Sequence, residues 1–353
     1  MNNSNRNIEE FKCPICGAPT VFNPLKGLLN CEYCEYEKSL QNLTSEYEFN
    51  VSDGAVEDSS WRSEAKVVHC DNCGADNVLN VGQMSSLCPF CGSNQIVLSQ
   101  QISGIKPHRI IPFKVDKTQV RERYNKWLKR KIFVPRKVKK QIPNCQLNGV
   151  YLPVWTFDST VISTYDGKLG KHYTRTVGSG NNRRTVTETK YFYVSGTKNI
   201  FFDDCLVNAG SHITQNEINA ISPFDTNNSY VFEHGYLAGF SSEHYTVRLE
   251  EGWDIAKKKM EQGMRQRILR DYVYDVVVYL NVNSTFHNSK YKYVLIPVWV
   301  GVYQYKNKTY RFVANGVTNK ISGKAPVSAL RVIIFILLII ISILALVLLT
   351  QLE

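Results

Sequence analysis

Two stretches with the same cysteine spacing decide the first third of the fold: KCPICGAPTVFNPLKGLLNCEYCE at residues 12–35 and HCDNCGADNVLNVGQMSSLCPFCG at residues 69–92. Each contains two Cys-x2-Cys pairs with 14 residues between them, and the second stretch repeats the first at an offset of 57. One such turn can present two thiolates to a single metal ion, and a second turn brought in by a hairpin completes a tetrahedron. The spacing therefore predicts a duplicated four-cysteine ribbon.

We interpret the duplication as two zinc ribbons, ribbon 1 over residues 11–41 and ribbon 2 over residues 66–99, each with one structural Zn²⁺. Four protein ligands leave no open coordination position for catalysis, and a domain this small needs the metal to fold. Disulfides or an iron–sulfur cluster are the alternatives. The predicted metal ligands are Cys13, Cys16, Cys31, Cys34, Cys70, Cys73, Cys88 and Cys91.

The residue after each second cysteine tests how regular these turns are. Gly17, Gly74 and Gly92 follow three of the four pairs, and glycine adopts a positive φ without strain. Glu35 stands at the fourth position, so a less regular turn is expected after Cys34. His69 precedes ribbon 2 and is expected to be a surface residue.

The net charge of +11 is distributed unevenly along the chain. Residues 1–100 carry a net −7 and residues 101–330 a net +18. The ribbons themselves are neutral or slightly acidic before their thiolates are counted, whereas contact with phosphates needs Lys and Arg. The ribbons are therefore predicted to dock proteins rather than nucleic acid. The polar, acidic segment 42–65 between them is predicted to be a flexible linker.

Residues 105–140 hold 14 Lys and Arg against two acidic residues. A helix is predicted over 117–131, capped by Asp116, with an apolar face formed by Val120, Tyr124, Trp127 and Leu128. The basic segment has three interpretations at this point. It is a solvated face packed on a sheet, a surface for anionic lipid, or a site for nucleic acid.

The remaining body is predicted to be a strand-rich α+β domain over residues 105–325. LPVW at 152–155 matches IPVW at 296–299, which indicates two related β-units separated by a helix over 250–270. Proline inside both strands predicts edge positions or bulges. Asp166-Gly167 predicts a hairpin turn, and a second loop is predicted near 178–182.

From Val332 to Leu349 the chain reads VIIFILLIIISILALVLL. A helix of this length spans ~27 Å, close to the ~30 Å hydrocarbon core of a bilayer. We therefore expect a transmembrane helix over 331–350. Because Lys320, Lys324 and Arg331 precede it, the positive-inside bias places the N-terminal bulk in the cytoplasm and the protein at the cell membrane.

No catalytic motif is present in the sequence. It lacks GxxxxGK[ST], a helix-opening GxGxxG, HExxH and GxSxG, so the chemistry that those motifs support is not indicated. Cys145 and Cys205 are expected to be small buried residues, and the acidic pair Asp203-Asp204 is expected in a turn. The protein is expected not to be an enzyme.

Together these features resemble a family of bacterial zinc-ribbon membrane proteins of the transcription-factor-IIB type. The resemblance rests on the tandem ribbons, on GVYLPVWTFDS at 149–159, on VLIPVWVGVYQYKNKTYRFVANGVTNKISGKAP at 294–326 and on the apolar C-terminal helix. It is similar in layout to a Bacillus member encoded beside a phage-shock protein A homologue and an SPFH protein. The resemblance implies a membrane adaptor that recruits those partners in envelope stress. The alternative is a membrane-tethered protein that binds nucleic acid or the transcription machinery.

Overall fold

The computed structural model describes residues 12–40, 48–54, 65–80, 88–91, 93, 100–101, 104–141, 145–306 and 308–351. The strands are β1 (Thr20–Asn23), β2 (Leu28–Cys31), β3 (Glu37–Ser39), β4 (Phe49–Asn50), β5 (Ala65–His69), β6 (Asp76–Asn80), β7 (Gln100–Gln101), β8 (Arg109–Ile110), β9 (Gln146–Val177), β10 (Arg184–Asn208), β11 (Tyr230–Val231), β12 (Ser241–Glu243), β13 (Val276–Tyr305), β14 (Lys308–Asn315) and β15 (Ile321–Gly323). The α-helices are α1 (Lys117–Lys129), α2 (Arg136–Gln141), α3 (Gln215–Ile221), α4 (Leu249–Leu269) and α5 (Ala329–Gln351).

The strands form a small sheet, β1-β2-β3, and a large one built around β9 and β13. These two long strands pair with each other in antiparallel fashion from one end to the other. Beyond the core, β9 and β10 continue as an extended hairpin closed by a 3₁₀ turn at Gly180–Asn182. The loop predicted near 178–182 is confirmed.

The two PVW units are related by a pseudo-twofold axis at the pair Leu152 and Ile296. The ladder obeys the 144-residue offset, since Tyr151 faces Pro297 and Pro153 faces Leu295. The two tryptophans also make matching contacts, each with the residue that precedes the N-cap of a helix. The Trp155 indole N–H donates to the Val247 carbonyl at 2.9 Å, and the Trp299 indole N–H donates to the Val115 carbonyl at 3.0 Å. The duplication predicted from the two tetrapeptides is thus visible in the backbone pairing and in the tryptophan contacts.

The prediction that both prolines lie at edges or bulges is wrong, because both are in the central strands. The pairing of β10 with β9 ends at Val154, next to Pro153, and the pairing of β14 with β13 ends at Val298, next to Pro297. There each proline carbonyl accepts from the residue that follows the partner strand, Ala209 at 3.0 Å for Pro153 and Gly316 at 2.9 Å for Pro297. A missing N–H costs nothing where no ladder acceptor faces it.

The large sheet is covered on both faces. One face carries a hydrophobic cluster shared with α1, α4 and ribbon 1, and the other carries a cluster shared with α3 and ribbon 2. Alternate residues of β9 divide between them, with Trp155 on the first face and Val154 on the second. Phe22 of ribbon 1 and Phe90 of ribbon 2 therefore lie on opposite faces of one sheet, while Val78 of β6, itself a strand of that sheet, belongs to the first cluster.

The helices begin and end close to where the sequence predicts them. Asp116 caps α1 and forms a capping box with Gln119, while Val120, Tyr124 and Leu128 are buried. The 250–270 helix is present as α4, with Met260 among its buried residues. These predictions are confirmed.

Asp166-Gly167 does not form a turn, because β9 runs through it without interruption. A Cβ on Gly167 would lie 2.8 Å from a Leu280 methyl and 2.9 Å from the Tyr279 carbonyl. Glycine is needed at this position for the close approach of β13. The Asp-Gly pair is typical of turns, but the glycine is present here because β13 packs against it.

Part of the predicted linker 42–65 is paired rather than free. Residues 48–54 are described and contain β4, which pairs with β13 at Lys290 and Tyr291. Ala65 begins β5, and residues 42–47 and 55–64 lie outside the described residues. Ribbon 2 also joins the body directly, because β6 pairs with β12. The sequence placed this ribbon outside the 105–325 domain, and in the structure its strands extend that domain's sheet.

The C-terminal apolar segment is helical, as α5. Taking the described residues alone, no helix has the length and apolarity of a membrane span. The transmembrane helix expected over 331–350 is therefore not confirmed.

Candidate metal centres

The four cysteines of ribbon 1 converge on one point. Sulfur atoms of Cys13 and Cys34 lie 3.3 Å apart, and those of Cys16 and Cys31 lie 3.5 Å apart. All four ligand atoms are within 4.8 Å of one another. Each cysteine pair lies on a tight turn, closed by the N–H of Gly17 to the Cys13 carbonyl at 2.9 Å and by its equivalent after Cys34 at 3.1 Å.

The turn after Cys34 is as regular as the others, so the expectation of an irregular turn there is wrong. Glu35 takes φ 59°, close to the 73° of Gly17 and the 77° of Gly74. The hydrogen bond of the turn and the positions of the sulfurs hold the residue in the left-handed region, although a side chain there is unfavourable. Gly92 lies outside the described residues.

Ribbon 2 builds the same centre. Its sulfurs pair as Cys70 with Cys91 at 3.7 Å and Cys73 with Cys88 at 3.5 Å. The Ser93 hydroxyl lies 3.2 Å and 3.0 Å from the sulfurs of Cys70 and Cys91. Hydroxyl and backbone donors around thiolates spread their negative charge.

The pKa values of the thiols differ within each cluster. Desolvation opposes ionisation of Cys13, but backbone N–H groups of Cys16 and Ile15 outweigh it and lower the pKa of Cys13 to about 7. In ribbon 2, desolvation is again the largest single influence, but hydrogen bonds from the Ser93 hydroxyl, the Asn72 side chain and the Ser93 backbone together outweigh it and lower the pKa of Cys91 to about 6. Desolvation raises the pKa of Cys88 to about 11. Four neighbouring thiolates repel one another, so complete ionisation requires a cation at the centre.

The donor sets fit a tetrahedral metal ion. Metal–sulfur bonds of ~2.3 Å in a tetrahedron place sulfurs about 3.8 Å apart, and the observed pairs are at 3.3–3.7 Å. A disulfide needs ~2.0 Å, and the ten cysteines are free thiols. All eight predicted ligands are thus brought together in two clusters, and their chemistry is consistent with zinc.

Ribbon 2 is built into the body. The ring of Phe90 stacks on His212 at 4.9 Å, and the Asn148 side chain donates to the Pro89 carbonyl at 3.2 Å. His212 bridges the Cys73 carbonyl and the Glu243 carboxylate, each at 3.0 Å. The bond to Glu243 raises the pKa of His212. No pattern in the sequence identified His212, because its partners come from distant segments.

Ribbon 1 contacts the body around Phe22. Phe22 is buried against Tyr236 at 5.3 Å, and its N–H donates to the Ala238 carbonyl at 3.0 Å. Two apolar side chains of the metal-binding turns do not share this burial. Ile15 and Tyr33, in the middle of the two cysteine turns, are 70% and 77% exposed. The sequence placed these residues in the turns but gave no sign of their exposure.

The basic segment lies against the start of α5. The Arg331 guanidinium donates to the carbonyls of Ile132 at 3.0 Å and Val134 at 2.7 Å, in the loop between α1 and α2. The ring of Phe133 packs on that of Phe335 at 5.3 Å. The loop between α1 and α2, with the cations that flank it, is therefore next to the N-terminal end of the apolar helix.

The other cysteines and His69 have structural surroundings. His69 is exposed and contacts the Asp76 carboxylate at 2.7 Å. Cys145 is buried and Cys205 is half-buried, and burial raises the pKa of both thiols. Asp203-Asp204 forms a β-bulge rather than a turn, with Asp204 at φ 47°.

Comparison with known proteins gives a full-length relative. The chain is 27% identical over 323 residues to YdjG, an uncharacterized protein of Bacillus subtilis (strain 168), and the match covers 91% of each chain. No family model matches the sequence. No solved structure matches either.

Proposed function

We propose that this protein is a membrane-anchored adaptor in which two zinc ions stabilise the ribbons, α5 holds the chain in the cell membrane, and ribbon 1 binds a cytoplasmic partner protein. The observation that carries the proposal is the pair of exposed apolar residues on ribbon 1, Ile15 and Tyr33. In this proposal the four cysteines of ribbon 1 bind the metal. The side chains of Ile15 and Tyr33 are exposed to solvent and are therefore available to a partner. Exposed apolar residues clustered on a rigid element are typical of protein interaction sites.

The proposed anchor rests on the surface of α5. Its large apolar side chains from Ile333 to Leu348 are 44–60% exposed, and such surface is costly in water. The Ser342 hydroxyl donates to the Leu338 carbonyl at 2.8 Å, which satisfies the polar group within the helix, as a bilayer requires. A lipid environment would cover this surface.

The position of the basic segment supports lipid contact over nucleic-acid binding. With α5 in a membrane, the contacts of Arg331 hold α1 and α2 at the level of the headgroups. Each Lys or Arg near an anionic surface contributes about 1 kcal/mol. The last turn of α1, the loop after it and α2 carry the cations Lys126, Lys129, Arg130, Lys131, Arg136, Lys137 and Lys139.

Point variants test partner binding without disturbing the fold. Full-length protein is affinity-purified from membranes in mild detergent, as wild type, as the double variant Ile15→Ser/Tyr33→Ser, and as the control Val273→Ser at a residue that is also exposed. We expect the double variant to lose the retained partner while keeping two metal ions per chain. The resemblance makes a phage-shock protein A homologue and an SPFH protein the first candidates to seek by mass spectrometry.

Retention of the same partner by the double variant would contradict the role of ribbon 1. Deleting residues 1–100 is a poor test, because it removes ribbon 2 from the sheet. Membrane attachment is tested separately by fractionation of a chain ending at residue 328. Recovery of that chain in the membrane pellet would contradict the anchor, and binding to DNA rather than to anionic vesicles would favour the nucleic-acid alternative.

A further inference from the structure

A cavity of about 500 Å³ lies on the face of the sheet that carries the ribbon 2 cluster, because Asp158 and Lys292 continue the alternation of Val154 and Val294. Residues of β8, β9, β10 and β13 line it, among them Arg109, Asp158 and Lys292. Its size is within the range of small-molecule sites, 300–1,000 Å³. Unlike most such sites, its wall is dominated by charged and polar side chains.

Lys292 is the centre of a buried ionic cluster in this cavity. It is only 7% exposed, and its ammonium lies 2.9 Å from Asp204, 3.3 Å from Glu48 and 3.8 Å from Asp158. Lys290 pairs with the same Glu48 at 3.1 Å. Both ammonium groups are therefore paired, and the cluster holds three carboxylates against two cations.

The pseudo-twofold axis shows that the fold does not need these charges. The 144-residue offset maps Asp158 onto Val302, which is buried, and Lys292 onto Asn148. In that other half the Asn148 side chain is capped by the Pro89 carbonyl of ribbon 2. The half of the sheet next to ribbon 2 therefore has Val302 and the hydrogen-bonded amide of Asn148 at these two positions. The other half has the carboxylate of Asp158 and the ammonium of Lys292, and they line an open cavity.

Two irregularities in the backbone occur in the same half. The ladder between β9 and β10 shifts register between Phe202 and Cys205, and that between β9 and β13 shifts between His287 and Lys290. The equivalent ladder between β13 and β14 has no shift. Asp204 and Asn288 adopt φ 47° and 51° at these bulges. Bulges that re-aim side chains are frequent beside functional sites, and buried ion pairs add little net stability.

The polar groups at the wall alternate between donors and acceptors. The Thr226 hydroxyl donates to Asp204 at 2.7 Å, Asn227 donates to Asp203 at 3.1 Å, and Arg109 donates to the Ser229 hydroxyl at 3.1 Å. At the rim, the aromatic ring of Phe201 is 59% exposed. Carboxylate and hydroxyl oxygens still have lone pairs for further hydrogen bonds.

We propose that this cavity binds a small uncharged polyhydroxylated molecule, of the size of a mono- or disaccharide. An anionic ligand would be repelled by the three carboxylates, and a cationic ligand would have to displace the ammonium of Lys292, whose charge would then be buried without a partner. A polyol offers both donors and acceptors, which the wall matches. The apolar face of a sugar ring packs on the ring of Phe201.

The test uses the full-length protein in mild detergent and four probes: glucose, N-acetylglucosamine, maltose and myo-inositol. Saturation-transfer NMR and calorimetry detect binding. Asp158→Asn keeps the shape and the oxygen that accepts the Asp204 N–H at 2.5 Å, so the bulge is retained. Desolvation raises the pKa of Asp158 to about 7, so binding is measured at pH 8.5, where the loss of a charge-assisted hydrogen bond is expected to weaken it at least about tenfold. The control Glu217→Gln removes a carboxylate in the other half and is expected to leave binding unchanged.

Three results would overturn the proposal. One is that none of the four probes binds to the wild type. Another is that a probe binds equally well to Asp158→Asn, which places its site elsewhere. The last is that charged probes, glutamate, glycine betaine or inorganic phosphate, bind while the uncharged ones do not.

Discussion

The two ribbons share cysteine spacing and sulfur geometry, yet they have different places in the molecule. Ribbon 2 continues the large sheet through β12 and shares a hydrophobic cluster with its centre. Ribbon 1 forms a three-stranded sheet of its own and rests on the body through Phe22 and its neighbours. The metal-binding motif therefore determines the local structure of each ribbon. The contacts of its outer surface determine whether the ribbon becomes part of the body's core or only packs on the outside of the body.

The largest expected effect is the loss of the metal from ribbon 2. Cys88→Ser should release one metal ion and lower the free energy of unfolding of the body by about 5 kcal/mol or more, since structural metal binding is folding energy. Metal analysis and urea unfolding followed by tryptophan fluorescence measure both. The matched change in ribbon 1, Cys31→Ser, should also release one ion but leave the main transition in place. Equal shifts for the two variants would contradict the comparison.

The next effect concerns the aromatic contact of each ribbon with the body. Phe90→Ala should lower the free energy of unfolding by about 3 kcal/mol, the usual cost of removing a buried phenylalanine. Phe22→Ala should instead release ribbon 1, increasing amide exchange over residues 20–31 while the main unfolding midpoint changes little. If Phe22→Ala lowered that midpoint as far as Phe90→Ala, ribbon 1 would be as integrated as ribbon 2.

Low pH should lower the free energy of unfolding through His108, which packs on β4 in the segment between the two ribbons. Burial lowers the pKa of His108 to about 4, its Nδ1 accepts the Tyr293 N–H at 3.1 Å, and its ring packs on Phe49 of β4 at 4.3 Å. The folded-state pKa is below the ordinary 6.5, so this stability is present above pH 6.5 and is lost as the pH falls towards 4. The loss should reach about 2–3 kcal/mol.

Urea unfolding at pH 7 and pH 4.5 measures this dependence. His108→Asn keeps an acceptor near the Tyr293 N–H but cannot be protonated, so its stability should change less over the same interval. The same acid dependence in that variant would assign the effect to other groups.

The smallest expected effect is at the exposed turn of ribbon 1. Ile15→Ser should change the free energy of unfolding by less than about 0.5 kcal/mol, because the side chain is already in contact with solvent. Thermal unfolding with metal analysis checks this. A larger loss would show that Ile15 supports the metal centre, and would weaken its assignment to a partner.

Much of the local structure could be predicted from the sequence. The eight cysteine ligands follow from spacing, because two thiolates on one turn must share a metal. The ends of α1 follow from Asp116 and the period of its apolar residues, and the repeated PVW revealed the two β-units. These features depend on residues close together in the chain or on direct repetition.

The failures are at positions where distant segments meet. Gly167 lies within a strand because Leu280 approaches it, and the prolines fit central strands because their partner strands end beside them. Glu35 adopts a positive φ because the turn is held by its cysteines. Composition signals a turn or an edge at each of these residues, but the packing around them overrides that preference.

The sequence by itself determined that the chain has two four-cysteine centres, a basic segment, a duplicated β-unit and an apolar C-terminal helix. Only the tertiary structure shows that ribbon 2 is part of the sheet and that the loop of the basic segment between α1 and α2 packs against the N-terminal end of α5. It also decided that Glu48, Asp158 and Lys292 meet at the wall of one cavity. The physical reason is that metal geometry and helix periodicity act over a few residues, whereas burial and charge pairing depend on which surfaces the fold brings together.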